Sequence, residues 1–261
     1  MKHILACLAL VLCAPFAGAQ KFDHDHAALT ELLEAHVKGD RVDYKALDKQ
    51  RSKLGAYLQS LSAVQPKAFE AWTREQRFAF WINAYNAYTL ELILDELPLK
   101  SIKDIGGWFS AGPWEKRFIP LQKLAGLGSS KDLNLETIEH KILRPRFKDA
   151  RMHAAINCAS IGCPPIRAEA YVATKLDKQL AEQVSVWLGD ALRNQYDAAA
   201  KKVKISKIFD WFEKDFGKND AAVLAWIAKH GPAATVAWMK DGRGIKLSYL
   251  KYDWKLNDVK R

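Results

Sequence analysis

The segment that most constrains the fold is a long apolar stretch in the first half of the chain. Residues 78–90 read Phe-Ala-Phe-Trp-Ile-Asn-Ala-Tyr-Asn-Ala-Tyr-Thr-Leu, and the surrounding pattern predicts one helix from about Thr73 to Leu97. Apolar side chains occupy nearly every face of this helix, so the rest of the protein must cover it on all sides. The sequence therefore predicts a fold built around a buried central helix.

Two asparagines interrupt the apolar surface of this helix. Asn83 and Asn86 are three residues apart, which places them on one face. A buried amide is costly unless it is hydrogen-bonded, so each side chain needs a polar partner. Two interpretations remain open: each asparagine holds a neighbouring loop in place, or one of them, Asn83, supports a catalytic group.

The remainder of the chain has the pattern of shorter helices with few strands. Apolar spacing predicts helices over residues 25–36, 44–61, 133–143, 176–192, 208–216 and 221–229. Alternating runs predict strands at 151–157, 203–205 and 244–254. No repeat, low-complexity tract or clear linker divides the sequence. We therefore predict an α+β fold, with residues 20–261 forming a mainly helical single domain around the central helix and a small, mostly antiparallel sheet.

The first nineteen residues have the composition of a secretory signal peptide. A basic start at positions 2–3 precedes an apolar run at 4–12, and Ala-Gly-Ala at 17–19 offers a cleavage site. The run is too short to span a bilayer, and no later segment has about 18 uninterrupted apolar residues. We therefore expect a signal peptide over residues 1–19 and a periplasmic or secreted, soluble mature chain with no membrane span.

The charge of the chain limits its partners. The formal net charge is +10, and part of the excess lies in residues 141–151 and 201–207. Such charge attracts anionic glycans, peptides or phosphates, although a solvated basic surface has the same composition. No nucleic-acid motif is visible, and aromatic residues are not regularly interleaved with the basic runs. We expect a small-molecule, peptide or envelope-glycan substrate and no nucleic acid partner.

The reactive side chains are concentrated in one segment. Residues 151–165 read Arg-Met-His-Ala-Ala-Ile-Asn-Cys-Ala-Ser-Ile-Gly-Cys-Pro-Pro, which places His153, Cys158 and Cys163 within eleven residues. An oxidising compartment favours a disulfide between the two cysteines, whereas a nearby imidazole favours a thiol nucleophile. A zinc site is a third interpretation, but the spacing matches no standard zinc motif, so we expect neither metal nor cofactor.

Several short motifs occur in order along nearly the whole chain after the signal peptide. They are Val42-Asp-Tyr44, Phe80-Trp-Ile-Asn-Ala-Tyr-Asn-Ala87, Ser101-Ile-Lys-Asp-Ile105, Ile138-Glu-His-Lys-Ile-Leu143, His153 to Pro165, Leu176-Asp-Lys-Gln-Leu180, Ser206-Lys-Ile-Phe209 and Tyr252-Asp-Trp254. With these motifs the chain resembles bacterial exported members of domain-of-unknown-function family 547. The function of that family is unassigned, so the resemblance implies no catalytic residue.

The leading functional prediction is a cysteine-dependent hydrolase or acyl transferase that acts on amide or ester bonds. Cys158 is the predicted nucleophile, and His140 or His153 is the predicted base. On a regular strand, His153 and Cys158 would point to opposite faces because they are five residues apart. The neighbouring helix would then make His140 the better partner.

Supporting groups can be named for the same reaction. Glu139, Asn83 or Asn157 would orient the imidazole, and backbone N–H groups of residues 159–162 would stabilise an oxyanion. The candidate catalytic residues are therefore Cys158, His153, His140, Glu139, Asn83 and Cys163. The alternative is a non-catalytic envelope-binding or structural module with a Cys158–Cys163 disulfide and a basic, aromatic groove for anionic glycans or peptides.

Overall fold

A computed structural model describes residues 21–106, 110–239 and 244–259. The predicted signal peptide lies outside these residues. The described chain is α+β and mainly helical, with two small sheets, so the predicted fold class is confirmed. Across the described ranges, no helix combines the length and the hydropathy that a membrane span requires.

The central helix runs from Arg74 to Glu96. It begins there because Thr73 and Gln76 form a capping box, in which each side chain accepts a hydrogen bond from the other residue's backbone N–H. Every residue from 78 to 90 is buried, as the apolar pattern predicts. The helix therefore forms the core around which the shorter elements pack.

The other helices are short. The α-helices are Ala27–His36, Tyr44–Asp48, Arg51–Ser62, Pro66–Glu70, Gln122–Ala125, Leu135–Thr137, Arg144–Phe147, Met152–Ala155, Leu176–Gly189, Ile208–Trp211, Glu213–Phe216, Asp220–His230 and Ala233–Val236. Ile102–Asp104, Ala173–Lys175 and Ala237–Met239 are 3-10 helices, and Ile138–Leu143 is a π-helix. The single helix predicted over 44–61 is interrupted, because Gln50 N bonds to Leu47 O in a tight turn.

The strand predicted over residues 151–157 is wrong. Met152–Ala155 forms one helical turn, and extended backbone begins only at Ile156. The strand was predicted because residues along this run alternate in type. Residues 152–157 are all buried, so this alternation does not separate a buried face from an exposed one. The turn is closed by the bond from Ile156 N to Met152 O.

The two sheets have few strands. Val37–Lys38 pairs antiparallel with Arg41–Val42 in one sheet. In the other, Lys202–Ile205 pairs antiparallel with Gln195–Asp197 and parallel with Lys246–Tyr249. The late strand predicted within residues 244–254 is present as Lys246–Tyr249, and its pairing is parallel. Most of the pairing is antiparallel, as predicted.

Two clusters of buried side chains meet beside the cysteine segment. One surrounds the central helix, and the other contains Trp187, Phe209 and Cys163. Trp254, in the last described segment, packs against both clusters. The same segment is tied to the cysteine segment by a bridge between Leu256 and Ser160. The junction of the clusters is therefore fixed from several parts of the chain.

A candidate thiol site in an aromatic cleft

A cleft of about 340 Å³ opens where the two clusters meet. It is lined by Tyr85, Trp114, Glu115, Glu136, Glu139, His140, His153, Ile156, Cys158, Cys163, Ile208, Trp211, Phe212, Tyr252 and Trp254. Five of the six predicted site residues are in this lining, and Asn83 is not. Folding thus brings both thiols, both imidazoles and a carboxyl group to one aromatic cavity.

The two cysteine sulfurs are in direct contact. Cys158 Sγ and Cys163 Sγ lie 2.7 Å apart, and both cysteines are free. Tyr252 Oη lies 3.2 Å from each sulfur, and Cys158 N donates a hydrogen bond to Cys163 Sγ at 3.0 Å. Cys158 is partly exposed and Cys163 is buried. The site is therefore a dithiol with one accessible and one covered sulfur.

Two buried asparagines give the cysteine segment its shape. Asn86, on the central helix, donates to Ala155 O and accepts from Asn157 N, both at 2.9 Å. The Asn157 side chain donates to Pro164 O at 2.9 Å and accepts from Ala159 N at 2.8 Å. Because Asn157 holds both ends of the intervening loop, the two cysteines are brought face to face.

Gly162 allows the C-terminal segment to reach the sulfurs. Its N–H donates to Asp253 O at 2.8 Å, and Ile161 N donates to Lys255 O at 2.9 Å. A Cβ atom at position 162 would lie 2.9 Å from both Asp253 N and the Tyr252 ring. Only glycine permits this approach, which places the Tyr252 hydroxyl against both sulfurs.

The environment separates the acidities of the two thiols. A hydrogen bond with Cys163 lowers the pKa of Cys158 to about 7 against the opposing effect of burial, and contacts with Ser160 and Tyr252 act in the same direction. Burial, and then the neighbouring Cys158 sulfur, raise the pKa of Cys163. Since the thiolate is the reactive form of a cysteine, Cys158 is the thiol of the pair that ionises more readily.

Alkylation should report this difference. We expect the rate at which iodoacetamide modifies Cys158 to rise with pH through a midpoint near pH 7, because the pKa of this thiol is lowered to about 7. An unperturbed cysteine would have its midpoint at about pH 8.5. Cys163→Ala removes the main hydrogen-bond donor to Cys158 and should move the midpoint of the alkylation rate to higher pH. Cys163→Ser retains a donor and should move this midpoint less. An unchanged midpoint in Cys163→Ala would contradict the assigned cause.

His153 is bound to a carboxylate rather than to a sulfur. Its Nε2 donates to Asp215 Oδ2 at 2.8 Å, and its ring packs 4.3 Å from Phe212 and 5.2 Å from Phe216. Burial lowers the pKa of His153 despite the carboxylate. Burial therefore favours the neutral imidazole, and Asp215 fixes its orientation.

His140 has a different partner. Arg144 donates from Nη1 to His140 Nδ1 at 2.8 Å and also binds Asp215 through two nitrogens, at 2.6 and 3.1 Å. Burial, and then the positive charge of Arg144, lower the pKa of His140. Within the described chain, neither imidazole forms a hydrogen bond with a cysteine sulfur. Their role as base stays a prediction.

Glu139 lies on the π-helical turn Ile138–Leu143, which presents it and His140 to the same cleft. Its carboxyl group is buried, and Tyr85 Oη donates to Oε2 at 3.4 Å. Burial, and then the negative charge of Cys158, raise the pKa of Glu139 to about 7. A protonated fraction is therefore present near neutral pH, which makes Glu139 a proton donor facing the cleft.

The other predicted supporting groups have structural partners. Asn83 donates to Tyr171 O at 2.7 Å and accepts from Tyr171 N at 2.9 Å, which matches the loop-holding interpretation. The N–H groups of Ala159, Ile161 and Gly162 are bound to Asn157 Oδ1, Lys255 O and Asp253 O respectively. The prediction that these N–H groups stabilise an oxyanion is therefore wrong for Ala159, Ile161 and Gly162, because each of them is already hydrogen-bonded within the protein.

Sequence reasoning did not identify Tyr252, Ser160 and Asp215 as parts of the site. Tyr252 stands in the motif Tyr252-Asp-Trp254, which was a usable signal, but nothing in the sequence links Asp215 to His153. In the described ranges, no group of three or more His, Cys, Asp or Glu side chains is arranged to hold a metal ion.

The family model described as "Protein of unknown function, DUF547" matches residues 69–188. The matched range contains the central helix, the π-helical turn and both cysteines, and ends before Asp215 and Tyr252. Comparison with curated proteins and with solved structures gave no match. The match supports membership of the chain in the DUF547 family.

Proposed function

We propose that the chain is a dithiol oxidoreductase that exchanges disulfides with a substrate bound in the aromatic cleft. The observation that carries the proposal is the pair of sulfurs 2.7 Å apart, of which one is partly exposed and the other buried. A sulfur-to-sulfur contact of this kind lets one cysteine attack the substrate and the other release it.

The reaction has two exchange steps. In the first, the Cys158 thiolate attacks one sulfur of a substrate disulfide, a mixed disulfide forms, and the first substrate thiolate leaves. In the second, Cys163 loses its proton and attacks Cys158, the Cys158–Cys163 disulfide forms, and the second substrate thiolate leaves. The substrate gains two electrons and two protons, which the two cysteines lose. The reverse sequence would oxidise a substrate dithiol.

Neighbouring groups support both steps. The contacts of Cys158 with Cys163, Ser160 and Tyr252 stabilise the attacking thiolate, and the pKa of Cys158 near 7 leaves much of it ionised at neutral pH. Glu139, whose pKa is raised to about 7 by burial, faces the same cleft and can protonate the leaving thiolate. The export that residues 1–19 predict would place the protein where disulfide substrates occur.

Trapping tests the proposal. Reduced protein is mixed with oxidised glutathione and its intact mass is followed with time. The natural sequence is expected to lose two hydrogens and carry no lasting adduct, because Cys163 resolves the mixed disulfide. Cys163→Ser is expected to retain one glutathione on Cys158. An adduct on Cys163, or no reaction in either protein, would overturn the assignment.

The second candidate is the cysteine-dependent hydrolase or acyl transferase acting on amide or ester bonds. The presence of Glu139 as a proton donor in the cleft favours it, because a leaving amine or alkoxide also needs a proton. The two reactions differ in their need for Cys163. Turnover of a thioester or p-nitrophenyl ester that persists in Cys163→Ser would support acyl transfer, because serine retains a hydrogen-bond donor to Cys158 but cannot form the Cys158–Cys163 disulfide.

A further inference from the structure

A second cavity, with lining residues distinct from those of the thiol cleft, has a volume of about 410 Å³. Its lining is Pro66, Phe69, Glu70, Arg74, Arg77, Trp81, Lys123, Leu124, Gly126, Arg146 and Phe147. Phe69, Trp81, Leu124 and Phe147 are buried and provide an apolar wall. We call this cavity the basic groove, because four of its lining residues are cationic and one is a carboxylate.

Two arginines of the basic groove are oriented without being neutralised. Arg74 donates from Nη2 to Phe147 O at 2.6 Å, and its guanidinium lies 5.6 Å from the centre of the Phe147 ring. Arg146 donates from Nη2 to Ala125 O. Carbonyl bonds fix the position of a guanidinium while leaving its full positive charge, and the remaining N–H groups stay available to a ligand.

The cationic groups also repel one another. Burial, and then the positive charge of Arg77, lower the pKa of Arg146. Arg74 forms an ion pair with Glu75 at 3.9 Å, and both side chains are about half exposed. The four cationic residues of the lining face one carboxylate, Glu70, so the groove carries an excess of positive charge. A bound anion would relieve this repulsion.

We propose that the basic groove binds a phosphate monoester whose organic part is apolar. Arginine guanidinium groups pair with phosphate oxygens through two parallel hydrogen bonds, and the excess of cations suits a dianion. The wall that contains Phe69, Trp81 and Phe147 would contact the apolar part of the ligand. This inference concerns residues outside the thiol cleft and does not depend on the proposed disulfide exchange.

Calorimetric titration of the full chain with phenyl phosphate and with inorganic phosphate tests the inference. We expect phenyl phosphate to bind more tightly than inorganic phosphate, and added salt to weaken both. Arg77→Met and Arg146→Met are each expected to weaken binding by about tenfold or more, the effect of losing a charged hydrogen bond. Both side chains reach solvent, so the variants should fold, which their thermal unfolding will check.

Arg117→Met is the matched control, since Arg117 is exposed, donates to Asp132 O and does not line the groove. It should leave binding unchanged. No binding of phenyl phosphate, or equal loss in the control, would overturn the inference. The phosphate monoester could belong to a lipid headgroup or to a soluble molecule, and vesicles with and without phosphatidate distinguish the two. Binding to phosphatidate vesicles that is lost in Arg77→Met supports a lipid headgroup. Binding of phenyl phosphate without binding to these vesicles supports a soluble ligand.

Discussion

Replacing Asn86 with Ala is expected to lower the free energy of unfolding by about 3–5 kcal/mol and to disrupt the thiol pair. The Asn86 side chain forms two buried hydrogen bonds, to Ala155 O and from Asn157 N. Alanine would leave both backbone groups without partners and a void beside the central helix. The cysteine segment would lose its anchor, and the pKa of Cys158 should rise because its hydrogen bond from Cys163 weakens.

Asn83→Ala is the matched control for this prediction. Asn83 lies three residues earlier on the same helix face and binds Tyr171 through both N–H and C=O in the same manner. We expect similar destabilisation in urea unfolding but an unchanged alkylation midpoint for Cys158. If both variants shift that midpoint equally, Asn86 does not act on the thiol pair specifically.

The central helix was predictable because one strong signal determined it. Residues 78–90 are apolar on nearly every face, and Thr73 with Gln76 provides a visible helix start. The cysteine segment had no comparable signal. Residues 152–157 are all buried, so neither the helical spacing nor the strand alternation of apolar residues could distinguish a helical turn from a strand. The strand predicted over 151–157 was therefore wrong.

The sequence allowed most residues of the candidate site to be predicted, but not the hydrogen bonds that position them. Clustering in sequence identified Cys158, Cys163 and His153, and a preceding helix identified Glu139 and His140. The contact between the sulfurs depends on Asn86 and Asn157 hydrogen bonds to backbone groups, which a sequence does not display. Hydrogen bonds between residues far apart in the sequence could not be predicted either. Examples are the bond from Tyr252 to Cys163 and the bond between His153 and Asp215.

Replacing Cys158 with Ser is expected to reduce the rate of disulfide exchange by at least about a thousandfold. A hydroxyl group is not ionised at neutral pH and cannot form a mixed disulfide. Cys163 cannot take over the first step because burial raises its pKa and covers its sulfur. The measurement is the initial rate of reduction of oxidised glutathione, with each protein supplied in the reduced form.

Tyr252→Phe provides the graded comparison. It removes a hydroxyl group 3.2 Å from both sulfurs but keeps the ring that packs against Trp211 and Trp254. The loss of this donor should raise the pKa of Cys158, so exchange near pH 6 should slow more than exchange near pH 9. A Cys158→Ser protein that still exchanges at the natural rate would show that the Cys158 thiolate is not the attacking group. A Tyr252→Phe effect equal at both pH values would show that the Tyr252 hydroxyl does not lower the pKa of Cys158.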